Sequence, residues 1–417
     1  MTTARLVKLV QLGLLILVAL MPVHALMVHA LGTLFGHESI FAAWKEVWLL
    51  ILAVLTGFII WKQPERRTRL NQPAVSILLG FVILALIVTT VTGPAQSVAL
   101  FGLKTDLEFL LAALIALIAA DRHFGLRLGL TLLFSTIIVV VFALLQATIL
   151  PKELLSHIGY GFAPGQTAPY ETVLVGNHLA YRFGSTLGGP NQLGTFLILP
   201  LLLSLLWGRA NHRWWLLSAA ILPALFISYS RGAWLGAVAA LVAAALVLTR
   251  GTQRRTLAIL TAGAVLSLGL LAAFGPSGNL LSNYLHHPAA SPSAQNSDSQ
   301  HLSSLQSGLT AVISAPLGHG LGTAGPATFH AGEINIIEDN YLQIGYETGL
   351  LGLGLFLAFI VLVLIRLLRQ HDYFSLSAAG AIIGISVTAL VLPAWTDSST
   401  ALTVWTLAGA ALGARRV

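Results

Sequence analysis

Long apolar stretches alternate with short polar connections along the whole chain. The stretches run about 17–25 residues, the length that an α-helix needs to cross the hydrocarbon core of a membrane. Strands of a membrane barrel would be shorter and would alternate apolar with polar positions. The pattern predicts an all-α polytopic membrane protein, a single transmembrane domain over residues 1–417. The twelve or so predicted spans are 10–31, 41–61, 73–92, 97–120, 124–150, 186–208, 214–229, 232–249, 256–275, 341–365, 375–394 and 398–414.

The composition is typical of a membrane protein and excludes any chemistry that needs cysteine. The 417 residues are 56% hydrophobic and 9% charged, which excludes a water-soluble globular protein of ordinary composition. The chain contains no cysteine, so disulfides, thiolate catalysis and cysteine–metal sites are excluded as well.

The cations are distributed unevenly between alternate connections. Seventeen of the 22 Lys and Arg residues fall in one set, namely Arg5, Lys8, Lys62, Arg66, Arg67, Arg69, Arg122, Arg127, Arg209, Arg213, Arg250, Arg254, Arg255, Arg366, Arg369, Arg415 and Arg416. The positive-inside rule places that set, and both termini with it, in the cytoplasm. Topology therefore accounts for the net charge of +7 without any nucleic acid partner. The first apolar run resembles a signal peptide, but the many spans that follow favour a retained helix.

The long connections belong to the opposite, outward side. They are a first outward loop, 151–185, and a larger one, 276–340. In the second loop, Leu302, Leu305, Leu309, Val312 and Ile313 recur with helical periodicity before Pro316. This spacing predicts an amphipathic helix at the membrane surface, and the loop lengths predict that the function faces outward.

Two arginines interrupt the cation-poor outward side. Arg182 lies in YRFGSTLGGPNQLG, before the sixth span, and Arg231 lies in SYSRGAWLG, at the mouth of the eighth. Guanidinium groups bind phosphate oxygens through paired, charge-assisted hydrogen bonds, and the adjacent Ser230 and Asn191 open helices whose first N–H groups can bind anions. A lipid phosphate or diphosphate is the expected ligand. The alternative is that each arginine only anchors its helix at the headgroups.

Acidic residues begin the tenth span on the same face. Glu338, followed by Asp339, Asn340 and Tyr341, could serve as a general base towards a hydroxyl nucleophile. The alternative is helix capping by Asp339 or Asn340. Glu347 lies inside the span, so we expect it to face the bundle interior and to have a partner.

The large outward loop and the fourth span contain further titratable candidates. His319 and His330 lie in the large outward loop, and His319, within GHGLG, is the better placed to titrate near neutrality. In the fourth span, Lys104 and Glu108 are four residues apart and predict an internal ion pair. Asp106 then remains as surplus negative charge that could meet an arginine of the site.

Missing motifs limit the reaction class. The sequence has no P-loop, no HExxH or GxSxG motif, and no outward acidic motif typical of a metal site. We therefore predict no metal and no cofactor. Because ATP is not expected on the outward side, a transfer reaction there needs a donor that arrives already activated, and a lipid diphosphate meets that need.

The motifs resemble those of the O-antigen ligase / O-antigen polymerase superfamily of bacterial membrane glycosyltransferases. The matching elements are Arg182 with Asn191, the SRG around Arg231, the PLGHGLG turn at 316–322, and the helix start from Glu338 to Gly349. The resemblance is specific over about 180–365.

This resemblance implies a metal-independent, inverting transfer from an undecaprenyl-diphosphate-linked glycan at the periplasmic face of the bacterial inner membrane. The two arginines would hold the diphosphate, with Ser230 and Asn191 beside them, while Asp339, Asn340, Tyr341, Glu347 and Lys104 would support the site. The family's base is a histidine at the helix start, where this sequence has Glu338. Either Glu338 takes over the base role, or His319 or His330 of the loop reaches the site, or the chain is of the polymerase branch, in which acidic helix starts are expected.

The acceptor and the class of protein stay open at this point. Lipid A–core as acceptor makes a ligase, whereas a second lipid-linked glycan makes a polymerase. A transporter or flippase would also have many spans, but it is expected to place its functional residues near the bilayer midplane. A noncatalytic glycan-binding scaffold is the third alternative.

Overall fold

The computed structural model describes residues 2–162, 166–175, 178–249, 297–330 and 335–414. Within these ranges the chain is mostly helical. Its helices are α1 Thr3–Leu20, α2 His24–Phe35, α3 Glu38–Ala42, α4 Trp44–Lys62, α5 Pro64–Arg67, α6 Pro73–Thr92, α7 Gln96–Ala119, α8 Phe124–Thr148, α9 Pro190–Gly208, α10 Arg213–Ile227, α11 Arg231–Leu248, α12 Ser297–Ser314, α13 Asn340–Leu368, α14 Tyr373–Thr388 and α15 Ser398–Gly413. Short 3₁₀ turns lie at Met21–Val23, Thr68–Leu70, Lys152–Ile158, Gly325–His330 and Ala394–Thr396.

By length and composition, seven helical stretches of the described residues can cross a membrane: Thr3–Phe35, Glu38–Lys62, Pro73–Thr92, Phe124–Thr148, Pro190–Gly208, Arg231–Leu248 and Asn340–Leu368. Helices α10 and α14 are apolar but shorter. A polytopic helical membrane fold is therefore supported. Every predicted span coincides with a described helix except 256–275, which lies outside the described residues. The total of about twelve spans stays a prediction.

Helix boundaries follow from local sequence chemistry. Pro73 and Pro190 occupy the first turn of α6 and α9, where a missing N–H costs no hydrogen bond. Three late helices begin with an aspartate cap, because the carboxylates of Asp339, Asp372 and Asp397 accept from backbone N–H groups two or three residues further on.

Small residues allow the helices of the bundle to pack closely. A Cβ on Gly409 or Gly413 of α15 would collide with backbone carbonyl oxygens of α7. A Cβ on Gly236 of α11 would likewise collide with the backbone carbonyl oxygen of Gly384 in α14. Close backbone approach of this kind is typical of helices packed in a membrane, where dispersion contacts replace the hydrophobic effect as the driving force.

Cations gather at one end of the bundle. Arg66 and Arg69 donate to carbonyl oxygens at the C-terminus of α7, between Leu117 and Ala120. Arg127 donates to Gln11, whose amide in turn reaches Asp121. This end contains the short cationic connections, and its orientation towards the cytoplasm stays a prediction.

A two-stranded hairpin is the feature of the first outward loop that the all-α prediction did not contain. Strand β1, Glu171–Val175, pairs antiparallel with β2, His178–Arg182, and the register places Glu171 opposite Arg182. Helix α9 begins at Pro190 rather than at residue 186. Arg182 consequently lies at the end of a strand and not at a helix mouth.

The large outward loop contains the helix α12 in the region predicted to be amphipathic. Val312 is buried, while Leu305, Leu309 and Ile313 are exposed. Residues 276–296 of this loop lie outside the described residues, and the position of α12 on a membrane surface stays a prediction.

Candidate active site

Arg182 is held by three hydrogen bonds from three different segments. Its Nε donates to the carbonyl oxygen of Ser228 at 3.0 Å, Nη1 to the Glu171 carboxylate at 2.8 Å, and Nη2 to Asn191 Oδ1 at 2.8 Å. Its side chain is 14% exposed. The hairpin, the start of α9 and the end of α10 therefore meet at one guanidinium group.

Arg231 stands close enough to act on Arg182 electrostatically. Burial lowers the pKa of Arg182, the Glu171 carboxylate opposes that shift, and the positive charge of Arg231 adds to it. Ser230 is buried before the first residue of α11, and a Cβ on Gly194 of α9 would lie 3.0 Å from the Cβ of Ser230. Two cations and two polar side chains of the predicted diphosphate site thus occupy one neighbourhood.

The start of α13 is fixed by its own polar residues. Asp339 Oδ1 accepts from the Leu342 N–H at 2.8 Å, and Asn340 Oδ1 accepts from the Trp395 N–H at 2.7 Å. The hydroxyl of Tyr341 donates to the carbonyl oxygen of Ser386. Burial raises the pKa of Asp339, against the effect of its capping hydrogen bonds. Asp339 is thus a helix cap, and the next two residues, Asn340 and Tyr341, bind the helix start to the rest of the bundle.

The C-terminal end of α14 contacts both this helix start and the segment that carries Arg231. The Thr388 hydroxyl donates to the carbonyl oxygen of Gly232, directly after Arg231. One residue later, the carbonyl oxygen of Ala389 accepts from the Asn340 N–H at 2.9 Å. The beginnings of α11 and α13 are therefore neighbours at the same end of the bundle.

The two predicted bases, Glu338 and His319, have different surroundings. Glu338 is half-buried and its backbone N–H lies 3.4 Å from Ser304 Oγ of α12. The ring of His319 is stacked on Tyr346, with ring centroids 4.0 Å apart, and its Nδ1 lies 3.2 Å from the Tyr346 carbonyl oxygen. The side chain of His330 is not among those that the structure describes.

Glu347 holds the GHGLG turn against the bundle. Its Oε1 accepts from the N–H groups of Gly322 and Ala324 at 3.1 Å each, and its backbone carbonyl accepts from Gly320 at 2.8 Å. Two residues later Gly349 interrupts the helical conformation of α13 with φ 74°, which a residue with a side chain rarely adopts. The buried carboxylate expected to need a partner therefore has two backbone amides, and Asp106 of α7 faces it.

The predicted ion pair between Lys104 and Glu108 does not form. Lys104 Nζ lies 2.9 Å from Glu46, whereas Glu108 lies 3.0 Å from Lys45, a lysine that is 2% exposed. Lys45 also reaches Glu46 at 2.6 Å. Two cations and two carboxylates from α4 and α7 neutralise one another across the helix interface, and Asp106 meets Glu347 rather than an arginine.

Sequence reasoning missed Glu171, the partner of Arg182. The signal was available in the sequence, because ETVLV and HLAYR are β-rich segments separated by the dipeptide Gly-Asn, a pair of residue types that favours hairpins. Among the described residues, no group of three or more His, Asp and Glu side chains is arranged to hold a metal ion.

A family model described as O-antigen ligase matches residues 216–357. The matched range includes Arg231, Glu338 and Glu347, and it ends within α13. No curated protein matches the chain.

Proposed function

We propose, from the premise that residues 216–357 belong to the O-antigen ligase family, that the protein moves a glycan from an undecaprenyl-diphosphate-linked donor to an acceptor hydroxyl. The family match supports a membrane glycosyltransferase of the ligase or polymerase type. The identity of the donor, the roles of the site residues and the side of the membrane on which the reaction takes place are part of what we propose.

The arrangement around Arg182 is the observation that carries the proposal. Its guanidinium group is already oriented by Ser228 and Asn191, so only the contact to Glu171 would have to change when a phosphate binds. Glu171 is 44% exposed and supplies the anionic oxygen that a donor phosphate would supply in its place. Arg231 and the N-terminus of α11 add positive potential beside it.

The chemical step is a direct displacement at the anomeric carbon. The acceptor oxygen forms a bond to that carbon, the bond to the phosphate oxygen breaks, and undecaprenyl diphosphate leaves with the electron pair. Arg182 and Arg231 stabilise the charge that develops on the leaving group. The displacement inverts the anomeric configuration and, in this proposal, needs no metal ion. The acceptor proton goes to a base, for which the sequence offers Glu338 and His319.

The acceptor is lipid A–core in the ligase form of the proposal and a second lipid-linked glycan in the polymerase form. In both forms the reaction takes place at the periplasmic face of the bacterial inner membrane, among membrane lipids. The helix starts that the bundle brings together support this side, because the cations of the short connections lie at the opposite end.

The proposal is tested by replacing Arg182 and Arg231 individually with alanine in purified protein in proteoliposomes. Transfer of labelled glycan to each acceptor should fall at least about 100-fold in both variants, as expected when a leaving-group contact is lost. Arg209→Ala, a change at an exposed arginine between α9 and α10, is the matched control and should keep wild-type transfer. Wild-type transfer in both site variants would refute the diphosphate assignment.

A further inference from the structure

A second cluster of titratable side chains lies outside the site described so far. His29 of α2 has its Nδ1 at 2.7 Å from Glu38 Oε1 of α3. Its Nε2 lies 3.0 Å from the hydroxyl of Thr167 in the first outward loop. The histidine is 13% exposed and the carboxylate 53% exposed. A carboxylate, an imidazole and a hydroxyl are therefore connected in series.

Tyr160 completes the cluster. Its ring packs on the His29 ring, with centroids 4.4 Å apart, and its buried hydroxyl has no hydrogen-bond partner among the described residues. Burial raises the pKa of Tyr160, and the nearby Glu38 carboxylate raises it further. The preceding Gly159 has φ 97°, and a Cβ there would collide with Thr33. The loop is thus shaped to bring Tyr160 against His29 and to leave a polar group unsatisfied beside it.

The cluster lies in the outward half of the apolar stretch Thr3–Phe35, which consists of α1, the 3₁₀ turn Met21–Val23 and α2. His29 follows Lys8, which is predicted to be cytoplasmic, by 21 residues, and at 1.5 Å per residue this is about 31 Å, one hydrocarbon thickness. The imidazole therefore stands at the outer boundary of the membrane, the depth proposed for the transfer reaction.

The same helix contacts the loop between Arg182 and Asn191. The Leu26 N–H donates to the carbonyl oxygen of Thr186 at 3.3 Å. A Cβ on Gly188 would lie 3.3 Å from the side chain of Ala25 and 3.9 Å from that of Thr167. Because His29 is one turn beyond Ala25 on the same helix face, it stands beside the loop that carries the diphosphate site.

This arrangement is suited to taking a proton from a hydroxyl group. The negative charge of Glu38, 2.7 Å from Nδ1, favours a proton on that nitrogen and stabilises the imidazolium that forms, and Nε2 lies within hydrogen-bond reach of a hydroxyl. The ring of His319, by contrast, is stacked on Tyr346 with Nδ1 at a backbone carbonyl.

We propose that His29, with the Glu38 carboxylate beside it, is the base that accepts the proton of the acceptor hydroxyl. The inference rests on the proposed function. The acceptor hydroxyl takes the place of the Thr167 hydroxyl, its proton moves to Nε2, and its oxygen attacks the anomeric carbon as undecaprenyl diphosphate leaves. The proton ends on His29 and the electron pair on the diphosphate.

The experiment compares His29→Gln, Glu38→Gln and Thr167→Val in the proteoliposome transfer assay. Glutamine at 29 can still accept from the Thr167 hydroxyl through Oε1, so the loop contact is kept while the base is lost. We expect kcat to fall at least about 100-fold in His29→Gln, with the donor KM within about threefold of wild type. His37→Gln, at an exposed neighbouring histidine, should match wild type.

The pH profile separates catalysis from a structural role. The titratable groups facing His29 are Glu38, Tyr160 and His24. In wild type kcat should fall at acid pH as the imidazole is protonated, and His29→Gln should lack that limb. Glu38→Gln should move the limb to lower pH, because the imidazolium loses its counter-charge. Thr167→Val should lower the acceptor KM, because a competing hydroxyl is removed.

The results that would overturn the role of His29 differ from those that would overturn the proposed function. A wild-type kcat in His29→Gln, with transfer lost in Arg182→Ala, overturns the inference and leaves the proposed function intact. Loss of activity in Thr167→Val equal to that in His29→Gln shows that the His29–Thr167 contact only holds the loop in place, and this result also overturns the inference. Loss in Glu338→Gln alone assigns the base to Glu338. An inactive wild-type protein with both acceptors overturns the proposed function and this inference with it.

Discussion

Replacing Glu347 with alanine should release the GHGLG turn from the bundle. The carboxylate is 1% exposed and accepts from the N–H groups of Gly322 and Ala324. Alanine leaves both buried donors without an acceptor, at about 1–3 kcal/mol each, so local opening of the turn should become about 2–6 kcal/mol easier. Glutamine keeps an acceptor oxygen in the same place and should cost less than about 1.5 kcal/mol.

The measurement is hydrogen exchange of the peptide that contains Gly322 and Ala324, with the protein in one detergent. Exchange of these amides reports the free energy of local opening, so Glu347→Ala should accelerate it about 30-fold or more. Thr348→Val is the matched control, because the Thr348 hydroxyl donates only to the Ile344 carbonyl of its own helix. Unchanged exchange in Glu347→Ala, or equal acceleration in Glu347→Gln, would refute this account of the turn.

Three further predictions concern other parts of the bundle. Arg182→Lys should lower kcat/KM for transfer roughly 10- to 100-fold, because one ammonium group cannot replace three directed N–H contacts, and wild-type kinetics would contradict this. The raised pKa of Asp339 means that its stabilising contribution grows as pH falls. Wild type should therefore gain unfolding free energy relative to Asp339→Asn between about pH 7 and about pH 4, and parallel pH curves from chemical unfolding would contradict it. Lys45→Met should cost about 3–5 kcal/mol in chemical unfolding, because it leaves buried carboxylates unpaired, and adding Glu108→Gln should recover part of that loss, whereas additive losses would contradict the pairing.

The sequence predicted the helical membrane class because hydrophobic length depends on the chain alone. It also singled out Arg182 and Arg231, since an arginine on a cation-poor side is visible without a structure. Glu347 could be predicted to have a partner from its place inside a span. That its partners are backbone amides of a turn 23 and 25 residues earlier could not, because only the fold brings that turn beside the helix.

The features that the sequence predicted wrongly or not at all also depend on contacts that only the fold creates, or on elements too short to be recognised. Lys104 and Glu108 share a helix face, but the fold places Lys45 and Glu46 of another helix within reach, and each forms the better pair across the interface. The hairpin went unpredicted because a search for long apolar runs passes over two five-residue strands. His29 lay inside a predicted span and was not predicted as a site residue, since its contact with Thr167, 138 residues later, is formed only by the fold.

The most direct test of the glycosyltransferase account is product formation by the purified wild-type protein. Labelled undecaprenyl-diphosphate glycan is supplied with lipid A–core in one reaction and with no second acceptor in another. The account predicts glycan joined with inverted anomeric configuration to lipid A–core or to a second donor glycan, with one undecaprenyl diphosphate released for each bond formed. Intact donor in both reactions, from protein shown to be folded, would contradict it.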